Sequence, residues 1–184
     1  MATLRQAISK RYIGRGQSQR LRAVCLTLNG ARVSSLFQEE VRQMDRRNFV
    51  LAALSVAKGG LHTPVQVQKL FFLIDQEIPE LVEGPRFNFV PYNYGPFDQD
   101  VYRDLDILRL GGFVDLVPQG TWSSYRLTPE GQSEGDLHFA ALEQKAAAYI
   151  IEASDFVRKL SFTQLVSAIY KAYPDMRQNS VFQQ

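Results

Sequence analysis

Apolar residues first recur at helical spacing from Asn48 onward, at Phe49, Val50, Ala53, Leu54 and Ala57, and stop at Gly59-Gly60, a helix terminator. Thr63-Pro64 then gives an N-cap followed by proline at the first helical position. Val67, Leu70, Phe71 and Ile74 form the apolar stripe of this second helix, which ends before Pro79. Residues 81–92 contain Gly84-Pro85 and then alternating Phe87 and Phe89, which predicts a short strand. Pro96 is expected to open a third helix, with Val101, Leu105 and Leu108 on one face and Leu110-Gly111-Gly112 at its end.

Residues 113–117 and 122–127 are short β-rich runs around Pro118-Gln119-Gly120-Thr121, the pattern of a hairpin. They should pair antiparallel beside residues 87–89. Thr128-Pro129-Glu130 repeats the capping logic of Thr63-Pro64, and residues 137–157 form one long helical pattern containing Ala146, Ala147 and Ala148. Ser161 caps a last helix that runs to Tyr173 and is stopped by Pro174, leaving a polar tail. The pattern predicts an α+β, mostly α fold: a winged-helix-like core with a small β-wing and two C-terminal helices.

Charge changes the picture at one place. The net charge of +2 over 184 residues conceals a split, with +6 on residues 1–43 and −4 on residues 44–184. The first segment is rich in arginine, poor in periodic apolar positions and broken by the linker-like Gly14-Arg15-Gly16-Gln17-Ser18-Gln19. It reads as an extension with three open interpretations: a transit peptide, a basic arm for nucleic acid, or an upstream stretch ahead of a true start at Met44. Residues 44–184 form the folded unit. A single cysteine, Cys25, excludes an intramolecular disulfide, and two distant histidines, His62 and His138, give no metal-ligand spacing. No P-loop, nucleophile elbow or zinc-protease motif occurs, so neither an enzyme nor a cofactor is expected. No apolar run is long enough to span a bilayer, and the expected location is the cytoplasm.

Gln68-Lys69-Leu70-Phe71-Phe72, then Asn93-Tyr94-Gly95-Pro96-Phe97, then a helix and Leu110-Gly111-Gly112-Phe113, resembles the SocA-like antitoxin family, whose shared unit is the Panacea domain. A tryptophan common just before that family's YGP turn is replaced here by Pro91-Tyr92. Ile169-Tyr170-Lys171-Ala172-Tyr173-Pro174-Asp175 and Asn179-Ser180-Val181 also resemble the C-terminal part of related proteins, so the similarity covers about residues 48–181. The resemblance implies a bacterial or phage protein of a toxin–antitoxin system. Such a protein acts as an antitoxin, or as an adaptor that delivers a toxin to a protease.

The candidate partner-binding residues are Lys69, Tyr92, Tyr94, Gly95, Pro96, Asp100, Asp104 and Trp122. Each also has a purely structural reading: a rigid turn for Tyr94-Gly95-Pro96, a snorkelling side chain for Lys69, and packing against the wing for Trp122. The alternative function is a winged-helix DNA-binding regulator. Against it, the helix that would enter the major groove carries Asp98, Asp100, Asp104 and Asp106 against Arg103 and Arg109, and only Gln99 suits base reading. A protein partner fits that helix better.

Overall fold

The computed structural model describes residues 44–182. The basic segment 1–43, with all three of its interpretations, lies outside the described residues. The elements are α1 (Arg46–Ser55), α2 (Pro64–Glu77), β1 (Val90–Tyr92), β2 (Gly95–Phe97), α3 (Gln99–Leu110), β3 (Val114–Gln119), β4 (Trp122–Leu127), α4 (Pro129–Ala140), α5 (Gln144–Lys159) and α6 (Phe162–Ala172). Short 3₁₀ turns lie at Pro79–Leu81 and Pro174–Arg177. This is an α+β, mostly α fold, with three helices leading into a two-stranded wing and α5 and α6 following α4.

Helices α1 and α2 are central because they are apolar nearly all round. Every residue of α1 from Phe49 to Ser55 is buried, as is every residue of α2 from Val67 to Asp75. A helix with no polar stripe must be covered on all sides. Helices α3 and α4 cover α1, α5 covers α2, and the aromatic side chains of Phe49, Phe71, Phe72, Phe87, Phe89 and Tyr173 interlock between them. The caps form as the sequence implies. Thr63 and Gln66 make a reciprocal capping box at α2, Ser161 and Gln164 another at α6, and Thr128 caps α4.

The wing pairs antiparallel from Val114↔Leu127 to Gln119↔Trp122, closed by Gly120 at φ +70°. Its neighbour is not residues 87–89 but His62, which exchanges backbone hydrogen bonds with Tyr125. Phe87 and Phe89 form no strand. The Asp75 carboxylate accepts from the amides of Arg86 (3.0 Å) and Phe87 (2.9 Å), and Asp98 accepts from Asn88 (2.5 Å), so these donors are used by side chains before any ladder can claim them.

Two further expectations are corrected, and the polar tail gains a place in the fold. Pro96 does not open α3: it lies in β2, and Asp98 caps the helix by accepting from the Asp100 amide at 2.8 Å. The long helical pattern over 137–157 breaks at 141–143, because α4 packs on α1 whereas α5 must turn to pack on α2. The polar tail is docked. Asn179, Ser180 and Val181 hydrogen-bond to the β1–β2 hairpin, and Phe182 packs on Phe162 and Tyr170.

Arg46 ties α1 to α3 by donating to Asp104 (Nε–Oδ2 2.5 Å) and Asp100 (3.3 Å) while lying over the Phe87 ring. Asp104 is only 4% exposed, so its removal takes from Arg46 the more buried of its two carboxylate partners and leaves Asp100. Asp104→Ala is expected to cost roughly 2 kcal/mol, the range for hydrogen bonds to charged groups. Asp100→Ala, at a more open position, should cost under about 1 kcal/mol. Urea unfolding of the two variants checks the order; equal losses would contradict the pairing.

Candidate partner-binding groove

The two family-like motifs, two dozen residues apart, form one hydrogen-bonded unit. Gln68 brackets the backbone of Asp98, with Nε2 donating to its carbonyl (2.8 Å) and Oε1 accepting from its amide (3.0 Å). One residue on, Lys69 Nζ donates to the Pro96 carbonyl at 3.0 Å. In the pair Pro91↔Pro96 neither residue has an N–H, so the ladder bonds of the hairpin fall to its neighbours and both proline carbonyls point outward. Lys69 takes the one facing α2. Lys69 is 3% exposed, which corrects the snorkelling reading, and burial pushes its amine down to about 7.

Gly95 has φ +95° and, lacking a side chain, leaves room for the same amine. A β-carbon there would meet the Tyr170 ring at 3.2 Å and Lys69 Nζ at 3.5 Å. Gly95 and Pro96 are both buried, so they hold the hairpin down and offer no surface of their own. What the hairpin presents is aromatic. Tyr92 and Tyr94 are about half exposed. Tyr92 leads a ladder of rings through Phe97, Tyr102 and Tyr125 toward the wing. Tyr94 meets Phe162, edge to face, at 5.1 Å.

Phe162 also lines an apolar groove of about 490 Å³, bounded by Pro64 and Val65 at the start of α2, Leu160, Phe162 and Leu165 around the start of α6, and Trp122 at the wing tip. None of the residues lining it is charged. Trp122 is 59% exposed, so it forms a wall of the groove rather than part of the core. Sequence patterning missed Phe162, Leu160 and Leu165. The only signal was a phenylalanine directly after the Ser161 cap, a first-turn position that usually faces solvent.

Asp100 and Asp104 lie elsewhere. Both turn toward Arg46, and Asp104 is buried, so it is not available to a partner. The arginines of α3 and the wing are each within ion-pair distance of an acid: Arg103 with Asp100 (2.6 Å), Arg109 with Asp106 (3.5 Å) and Arg126 with Asp115 (3.6 Å). His62, beside the wing, is buried, and its ring Nε2 has no hydrogen-bond partner among the described residues. Burial and the nearby Arg158 guanidinium push it down to about 4, so it stays neutral at pH 7. No cluster of metal-ligating side chains occurs among the described residues, and no helix there is long and apolar enough to cross a membrane. No protein-family model matches the chain, and a search of curated proteins finds no significant relative.

Proposed function

We propose that this chain is a non-enzymatic interaction module of the SocA-like, Panacea-domain type. It acts in the cytoplasm to bind and neutralise a toxin, or to hand it to a protease. The observation that carries the reading is the uncharged groove walled by Trp122 and Phe162. An exposed tryptophan over an apolar trough is the usual anchor of a protein interface, and such anchors dominate binding energy. The motif resemblance supplies the class of partner.

The DNA-binding alternative is disfavoured by the paired arginines of α3 and the wing. Counterion release needs lysines or arginines free to replace the ions around phosphate. Here each wing or α3 arginine already faces a carboxylate, and the wing tip, Gln119-Gly120-Thr121-Trp122-Ser123, carries no base.

The test is co-expression with the small protein encoded next to this gene, chosen for being toxic when expressed alone. The wild-type chain should restore growth. Trp122→Ala should weaken the purified complex by about 2 kcal/mol, roughly thirtyfold in Kd, with an unchanged melting temperature. Failure of the wild-type chain to restore growth, together with submicromolar sequence-selective binding to its own promoter duplex, would overturn the proposal in favour of a regulator.

A further inference from the structure

The outer edge of β1 is an unusual edge. Pro91 directs its carbonyl outward and offers no N–H, so it accepts hydrogen bonds but cannot sustain a full ladder with a further strand. The chain's own residues 179–182 occupy it. Asn179 Nδ2 donates to the Pro91 carbonyl (3.1 Å), and the Val181 amide donates to the Asn93 carbonyl (3.0 Å). Ser180 Oγ accepts from the Tyr170 hydroxyl (2.6 Å), and the Phe182 ring packs edge to face on Phe162 at 5.9 Å and tilted on Tyr170 at 6.4 Å.

These contacts have the form of a bound peptide: a side-chain amide, a backbone N–H two residues on, and an aromatic ring three residues on. Asn179 and Val181 remain exposed while bound, and no residue of the segment belongs to the central core. Local release of such a segment costs far less than global unfolding. The Phe162 ring that receives Phe182 also contacts Tyr94 and forms a wall of the groove, so seat and groove share a side chain.

We propose that the β1 edge and the Phe162–Tyr170 ring pair form a peptide seat, held in this structure by the chain's own tail. A protein partner enters it with a short segment of the same chemistry, a turn residue with an amide donor followed three residues later by an aromatic ring, and displaces residues 179–182. This deepens the interaction reading by naming a segment the partner must present. Its test needs no toxin, so the two can fail separately.

A fluorescein-labelled peptide with the sequence of residues 176–184 serves as the probe, with binding read by anisotropy. The full chain carrying Phe182→Ala, whose own tail has lost its anchor, should bind the peptide at least about tenfold more tightly than the wild-type chain, in which the tail fills the seat. A Phe182→Ala peptide should not bind either chain, and Trp122→Ala in the chain should leave peptide affinity unchanged. Asn179→Ala in the chain, which gives up the Pro91 contact and keeps the ring, should fall between wild type and Phe182→Ala. Equal affinity for all chains, or no binding to either tail variant while their melting temperatures match wild type, would overturn the seat.

Discussion

Gly131→Ala is expected to lower stability by roughly 3 kcal/mol, the upper end of overpacking costs, and to drop the melting temperature by about 10 °C. Gly131 lies in the first turn of α4, where an added β-carbon would come within 1.9 Å of the Phe113 carbonyl oxygen and 2.8 Å of its carbon. The obstacle is backbone, which has no rotamer to yield. That carbonyl also accepts from the Thr128 amide (3.0 Å), while Thr128 Oγ1 donates to the Gly112 carbonyl (2.8 Å) and accepts from the Gly131 amide. The methyl group therefore pries apart the end of α3, the start of the wing and the start of α4 together. One turn later, Gly135 brings α4 against the Leu51 carbonyl, 2.6 Å from its β-carbon position. Gly120→Ala at the wing tip meets nothing within 4 Å and should cost only the strain of its positive φ, about 1 kcal/mol. Thermal melts followed by circular dichroism separate these. A Gly131→Ala melt within 2 °C of wild type would mean that α4 does not approach Phe113 this closely.

The second large effect is a pH dependence carried by Lys69. Its ordinary value of 10.5 falls to about 7 in the fold through burial. Between those values the unfolded chain holds a proton that the folded chain has released, so folding becomes more favourable as pH rises through that window. From pH 7 to 9.5 this group alone should add roughly 3 kcal/mol of stability. Lys69→Met removes the titration and fills the same space, so its stability should stay flat where wild type climbs. The difference between the two urea-unfolding curves across pH isolates Lys69 from the other titrating groups. Parallel curves would show that the amine is charged throughout and solvated by a route other than the Pro96 carbonyl. Asp75 works at the other end of the scale. Burial pushes its carboxyl up to about 6, so its contribution favours the fold at low pH and is lost as pH rises from about 4 to 6.

The starts of α2, α4 and α6 were legible because a cap is local chemistry. Thr63, Thr128 and Ser161 each accept from an amide three residues on, and proline follows the first two. The wing was legible for a related reason, since alternation on both sides of Gly120 needs only a turn residue that tolerates positive φ. The same local reasoning failed at Phe87 and Phe89, where alternation promised a strand. Asp75, a dozen residues away, took the amides a strand would have needed. It failed again over 137–157, where an unbroken helical period gave no sign that the chain must turn at 141–143 to cover a second helix.

The candidate site divides along the same line. Sequence by itself determined that residues 68–69 and 93–97 are unusual, that Trp122 belongs to a wing tip, and that α3 carries too many acids for an easy fit to phosphate, because residue type and spacing fix those properties. Only the tertiary structure decided that Gln68 and Lys69 clamp Asp98 and Pro96, that Asp104 serves Arg46 rather than a partner, and that Leu160, Phe162 and Leu165 meet Trp122 across a groove. It also decided that the polar tail lies along the β1 edge. Each of these joins residues far apart in the chain. Such contacts are set by how two helices buried on nearly every side are covered, a requirement that no local window of sequence contains.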